Sequence, residues 1–236
     1  ESSIDQLAHY FGVSLQTVRS DLRELTAHGL LLRRHGMVAP FARENIGSQQ
    51  RETVNVIGQR WIGARVVQLL SAAASCFFVP GTTVQMLARA LPVDSQLAVC
   101  TNNLHAATPL SQLAGCELTV AGGRVRKRDL DVIGSDALTF FRRYRVDVGV
   151  VSVGGIGEEG ELYDFNDEEV VARLALVASA EINVLVVDST KFGRRAMCRN
   201  GDIGDFHYVV SDRAPTPQQR ELLARRQTRW LCREDE

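Results

Sequence analysis

From about residue 73 onward, short apolar runs alternate with longer stretches whose apolar positions recur every three to four residues. The runs are Cys76–Val79, Leu97–Cys100, Glu117–Val120, Asp147–Val153, Val184–Val187 and His207–Val210. They are brief, continuous and rich in Val, Leu and Phe, the pattern of strands buried on both faces. The stretches at about 83–91, 103–114, 135–145, 167–180 and 215–226 predict helices between them, and a further helix is expected over about 55–72. Strand and helix in alternation predict an α/β fold with a parallel sheet and helices on both faces.

The first forty residues follow a different rhythm. Ile4, Leu7, Ala8 and Phe11 share one stripe of a short helix. Gly12 can close it in the left-handed region, and the Ser14 hydroxyl can cap the next helix. That helix is expected from about Leu15 to His28, with Val18, Leu22 and Leu25 inward and Gly29 at its end. The segment from Leu30 to Gly36 then reads as a β-wing with a cationic turn. Two short helices, a tight turn and a wing make a winged helix-turn-helix. The domain expectation is therefore a DNA-binding domain over 1–40, a polar linker over 41–56 and an α/β effector-binding domain over 57–236.

Charge sharpens this division. The whole chain carries −1, which excludes a wholesale basic coating for nucleic acid. Between Ser14 and Arg43, however, five arginines face two acids, a local +3. The candidate DNA contacts are Ser14, Gln16, Thr17, Arg19, Ser20 and Arg23 on the second helix. Gln and Arg can pair with base edges in the major groove, and Ser and Thr with bases or phosphates. Arg33, Arg34 and His35 on the wing are candidates for neutralising backbone phosphates. The bland alternative is a small helical extension with a solvated charged face.

Composition adds exclusions. Hydrophobic residues make up 45% and charged residues 23%, an ordinary globular balance. The apolar runs are far too short to cross a bilayer, and the opening Glu1-Ser2-Ser3 is not a secretory signal. Five scattered cysteines without C-x-x-C spacing point to free thiols in a reducing cytoplasm and to no metal site. No membrane partner and no cofactor are expected.

The turns after the apolar runs carry the candidate chemistry. Gly81-Thr82-Thr83, Thr101-Asn102-Asn103, Gly122-Gly123-Arg124 and Gly154-Gly155 each follow a run, and Asp188-Ser189-Thr190-Lys191 follows the fifth. In an open parallel sheet, ligands sit beyond the carboxyl ends of the strands. Glycines admit close backbone approach, hydroxyls donate, and helix N-termini favour anions. Only two of the 27 cationic residues are lysines, Lys127 and Lys191, so a lysine at this turn stands out as a mobile charge for phosphate. Each turn alone is an ordinary connection; together they predict a pocket for a small phosphorylated effector.

Glu169 lies four residues before Arg173, the spacing of a plain surface ion pair. Asp164, Asp167, Glu168 and Glu169 are read as favouring a helix dipole rather than holding a metal. The basic run Arg124, Arg126, Lys127 and Arg128 reads as a solvated face, a subunit contact or a phosphate ligand, and as ligand Arg124 is preferred because it adjoins the glycines. His105 and His207 have no evident catalytic partner, so no catalytic residue is assigned.

The string Gly12-Val13-Ser14-x-Gln16-Thr17-Val18-Arg19-x-Asp21-Leu22-x-x-Leu25-x-x-x-Gly29-Leu30 resembles the reader of the DeoR family of bacterial transcriptional regulators. So does Leu32-Arg33-Arg34-His35-Gly36. The family usually has proline at Leu15 and arginine at Ser20, and begins with one more helix before Ser3, so the first helix is expected to be missing here. Residues 51–212 resemble the family's effector-sensing domain at Pro80-Gly81-Thr82-Thr83, Cys100-Thr101-Asn102-Asn103, Ala121-Gly122-Gly123, Ile133-Gly134, Gly154-Gly155-Ile156, Glu169 and Val187 to Arg194. The resemblance implies a ribose-5-phosphate-isomerase-like, Rossmann-like fold, a place for Glu169 in the effector pocket with the ion pair as its alternative, and a homo-oligomer, dimer or tetramer, on double-stranded operator DNA. Thr101 to Leu104, Arg128-Asp129 and Lys191 to Met197 are most like members governing glycerol-3-phosphate genes. The implied function is repression of carbohydrate or glycerol-3-phosphate metabolism genes, relieved by a phosphorylated metabolite such as glycerol-3-phosphate. A sugar-phosphate isomerase on the same fold is the alternative. It is disfavoured by Val79, where the family commonly carries aspartate, so the chain is expected not to be an enzyme.

Overall fold

A computed structural model describes residues 2–27, 31–34, 37–40 and 51–233. The N-terminal module holds β1 (Ser2–Ser3), α1 (Ile4–Phe11), α2 (Leu15–Ala27), β2 (Leu31–Arg34) and β3 (Met37–Pro40). Its local signals act as their chemistry dictates. The Ser3 hydroxyl and the Gln6 side chain form a reciprocal capping box at the start of α1. Gly12, at φ +63°, closes α1, and the Ser14 hydroxyl accepts the Thr17 N–H at 3.1 Å to cap α2. The antiparallel pair β2–β3 forms the wing, and β1 adds a third strand on β3. Val18, Leu22 and Val38 form the small core, with Ile4, Leu7, Ala8 and Leu31 packed on it. Phe11 and Leu25, expected inward, stay 65% and 37% exposed. Gly29, His35, Gly36 and linker residues 41–50 lie outside the described residues.

The larger module opens with α3 (Val56–Leu70). Among the described residues its main sheet has seven strands in the order β15-β14-β12-β9-β4-β5-β6, every neighbouring pair parallel. The strands are β4 (Ser75–Phe78), β5 (Leu97–Thr101), β6 (Cys116–Val120), β9 (Val146–Val151), β12 (Ala180–Val186), β14 (Tyr208–Val210) and β15 (Arg229–Leu231). All six apolar runs form strands, and β15, Arg-Trp-Leu, is an addition. The intervening helices are α4 (Thr82–Ala90), α5 (Leu104–Leu110), α6 (Ser135–Arg142), α7 (Asp167–Ala178) and α8 (Pro217–Arg226). From β4 the chain builds outward through β5 to β6, then returns to the other side of β4 with β9. Right-handed crossovers place helices on opposite faces when the direction of growth reverses. Accordingly α3 packs on α4 and α4 on α5, while α6 packs against α7.

Two small antiparallel units decorate the carboxyl edge. One is the hairpin β7 (Val125–Arg126) and β8 (Asp131–Val132). The other is a three-stranded sheet of β10 (Gly155–Ile156), β11 (Glu161–Asp164) and β13 (Cys198–Asp202). The core is aliphatic and aromatic: Phe77, Phe78, Phe141, Ile62, Leu87 and Leu185 have almost no exposed surface. Among the described residues, no helix is long and apolar enough to cross a membrane.

Candidate functional site

The reversal of strand order between β4 and β9 is the place where an open parallel sheet leaves a crevice. A cleft open to solvent lies there. Val79 to Thr82, beyond β4, form one wall, and Ser152 to Gly154, beyond β9, form another. The two walls nearly touch: a Cβ on Gly81, at φ +147°, would lie 3.1 Å from the Ser152 Cβ. Only glycine fits that backbone without strain. Thr82 opens α4, so the N–H groups of its first turn face this end of the cleft.

Lys191 enters from the end of β12. A short 3₁₀ turn, Ser189–Lys191, is capped by Asp188, whose side chain accepts the Thr190 N–H at 2.9 Å. Lys191 lines the cleft and is only 8% exposed. Burial, with the nearby Arg51 and Arg194 cations, pushes its ammonium down to about 7. No salt bridge to Lys191 occurs among the described residues. Arg194, 1% exposed, lies 5.0 Å over the Phe165 ring, and burial beside Arg51 lowers it to about 10.

The acidic side chains of the cleft are already matched. Arg126 bonds both oxygens of Asp131, at 2.9 and 2.6 Å, and also pairs with Glu169. Although burial opposes the charge, those carboxylates hold Arg126 above the ordinary guanidinium range. Arg51 Nη2 meets Asp129 at 2.6 Å. Arg173 bonds Asp164 through Nε and Nη2, at 3.2 and 2.9 Å, and Asp164 also accepts the Gly154 N–H.

Of the pocket residues expected from sequence, Gly81, Thr82, Asn102, Gly154, Glu169 and Lys191 line this one cleft. The remainder do not, each for a structural reason. Thr83 is buried within α4. Thr101 donates to the Phe78 carbonyl at 2.6 Å, and Asn103 caps α5 and donates to the Val79 carbonyl, so both brace the loops. Gly155 belongs to β10, where a Cβ would meet the Arg194 carbonyl at 2.1 Å. Gly122, Gly123 and Arg124 are exposed beyond β6, away from the cleft lining. The arginine of that run that reaches the cleft is Arg126, because β7 pairs with β8 and sets it opposite Asp131. Nor does Glu169 pair with Arg173; Arg173 turns inward to Asp164 on β11. Arg51, Arg126, Asp129 and Ser152 line the cleft without having been expected there. Among the described residues no acid, His or Cys cluster suited to a metal occurs. His207 accepts the Asn183 N–H through Nδ1, a structural contact.

In the N-terminal module, Ser14, Gln16, Thr17, Arg19, Ser20 and Arg23 are all exposed on or beside α2, while Val18 and Leu22 face the core. These exposed side chains lie together on α2, and the Ser14 hydroxyl is engaged as the helix cap. Arg33 and Arg34 lie on β2; His35 lies outside the described residues.

Residues 55–213 match the DeoR C terminal sensor domain, and residues 1–41 match the DeoR-like helix-turn-helix domain. The Glycerol-3-phosphate regulon repressor of Escherichia coli (strain K12) is 35% identical over 216 residues, 91% of this chain and 85% of that protein. Its namesake in Haemophilus influenzae is 33% identical over 214 residues, 90% of this chain and 84% of that protein. Among solved structures, ribose 5-phosphate isomerase from Plasmodium falciparum aligns over 58% of this chain and 52% of its own, at 11% identity and a TM-score of 0.39.

Proposed function

Because this chain belongs to the DeoR family of transcriptional regulators, we propose that it is a repressor released from operator DNA by a small phosphate ester bound in the β4–β9 cleft. The observation that supports this most is Lys191. A lysine buried in a polar cleft beside two further cations carries an electrostatic cost that a bound dianion would remove. The first turn of α4 offers N–H donors to the same anion. The identities of 35% and 33% to repressors named for the glycerol-3-phosphate regulon support glycerol-3-phosphate as the first ester to try.

The α2 residues Gln16, Thr17, Arg19 and Arg23 would read the major groove, with Arg33 and Arg34 on phosphates. Effector binding releases DNA only if the ester prefers the chain in a state that holds its reading heads unsuitably for the operator. We read the protein as a cytoplasmic homo-oligomeric regulator without turnover. Val79 supplies no acid to the cleft, and Asp129, Asp131, Asp164 and Glu169 are each held by an arginine. Such carboxylates are poor candidates for moving protons.

A thermal-shift series with glycerol-3-phosphate, ribose-5-phosphate and inorganic phosphate tests the reading. An ester at about 100 times its Kd should stabilise the chain by about 2.7 kcal/mol. If no phosphate ester stabilises it, the cleft is not a phosphate-ester site.

A further inference from the structure

The segment that joins the two modules is written into the wall of the cleft. Arg51 stands five residues ahead of α3, on the side from which the chain arrives from the N-terminal module. Its guanidinium lines the cleft and bonds Asp129 at 2.6 Å. It is 14% exposed at the side chain, so the pair is shielded from bulk water. The following residues are tied to the same site. The Val54 carbonyl accepts from Gln59, whose amide also donates to Thr82 at the mouth of α4. Asn55 donates to Ser189 and to Asp212, and Ser189 begins the turn that carries Lys191. Residues 51–55 therefore touch the cleft at Asp129, at Thr82 through Gln59, and at the Lys191 turn.

Asp129 is shared unequally. Arg126 also approaches it, at 3.4 Å, but Arg126 is held by Asp131 and Glu169 as well. Asp129 could lose Arg51 and keep a cation beside it. Arg51 could leave Asp129 for a dianion in the same cleft with little net change in paired charge. An arginine forks onto phosphate as readily as onto carboxylate.

We propose that Arg51 is a ligand of the anionic effector, and that it takes the anion by exchanging partners from Asp129, so that cleft occupancy is felt directly in the segment leading to the DNA-binding module. This rests on the reading of the cleft as a phosphate-ester site. It makes Asp129 an internal competitor of the effector, and that has a consequence opposite to ordinary damage. Removing the charge of Asp129 should tighten effector binding, whereas removing Arg51 should weaken it.

The test is calorimetric titration of the full chain with glycerol-3-phosphate, for wild type, Arg51→Gln and Asp129→Asn. Hydrogen exchange of the 51–55 amides is followed in the same samples, and thermal melts report folding. The expected result is binding weakened at least tenfold in R51Q and tightened three- to tenfold in D129N. Exchange at 51–55 should change on ligand addition in wild type and not in R51Q. An R51K variant, which keeps the charge without the fork, should fall between wild type and R51Q. If wild type binds and D129N weakens or leaves the affinity unchanged, partner exchange is overturned while the cleft reading stands. Unchanged exchange at 51–55 when wild type is saturated overturns it equally. If wild type binds none of glycerol-3-phosphate, ribose-5-phosphate and inorganic phosphate, the cleft reading itself fails and takes this inference with it.

Discussion

With the proposed ester on Lys191, effector affinity depends on pH in a calculable way. In the structure its ammonium is pushed down to about 7 by burial and by Arg51 and Arg194. A bound phosphate dianion restores a favourable environment for the charge, so the pKa in the complex returns toward the ordinary value of about 10.4. Between those values, binding must first protonate the amine. The apparent affinity then falls by the factor 1 + 10^(pH − 7), about 2 at pH 7 and about 100 at pH 9. The expected loss from pH 7 to 9 is about 50-fold, roughly 2.3 kcal/mol. Toward acid the ester itself protonates, with a second pKa of about 6. Affinity should therefore peak between about pH 6 and 7. Calorimetry at pH 8 in buffers of different ionisation enthalpy measures the proton directly, and uptake of about 0.9 proton per ester is expected. Replacing Lys191 by Arg, which stays charged throughout, should flatten the basic limb. Equal affinity at pH 7 and pH 9, with no proton uptake by the wild-type chain, would refute the assignment of Lys191 as the effector's buried cation.

Other expectations follow from the same contacts. The folded chain holds fewer protons at Lys191 than the unfolded chain between about pH 7 and 10.4, so this group's contribution to stability rises with pH through that window and is a burden below it. Lys191→Met should stabilise the empty protein at pH 6 by about 1 to 4 kcal/mol, with the gain vanishing near pH 10, as thermal melts across pH would show. Asp164→Ala should cost about 3 to 5 kcal/mol in denaturant unfolding, because it strands the buried Arg173 guanidinium. Gln16→Ala or Arg19→Ala should each weaken specific DNA binding by about 1 to 3 kcal/mol in an anisotropy assay, while ester affinity stays unchanged.

What could be read from the chain in advance was whatever local pattern encodes. The central strands of the main sheet are buried on both faces, so they appear as unbroken runs such as Asp147–Val153. The caps Gly12 and Ser14 act within four residues and were equally legible. Strand order is not local. Nothing in Phe77 or Val150 says that β4 and β9 lie side by side, yet that adjacency creates the cleft and selects Gly81, Ser152 and Gly154 as its walls. The arginines differ from expectation for a related reason. Arg124 adjoins the glycines in sequence, but a two-residue strand swings Arg126 across to Asp131. Glu169 and Arg173 have ion-pair spacing on α7, but β11, a strand of mixed polarity, supplies Asp164 as the nearer partner. Arg51 lies in a polar, aperiodic stretch where no sequence signal marks it. Its role depends on Asp129, 78 residues away in sequence.

The proposed regulation rests on one coupling: an ester in the β4–β9 cleft lowers affinity for DNA, through Lys191. The direct measurement is fluorescence anisotropy of a DNA fragment selected by the protein from random sequence, titrated with glycerol-3-phosphate on wild-type and Lys191→Met chains. The expected result is release of DNA from wild type and retention by the variant, with equal DNA affinity before ester is added. Equal release from both chains, or none from wild type while calorimetry shows the ester bound, would contradict it.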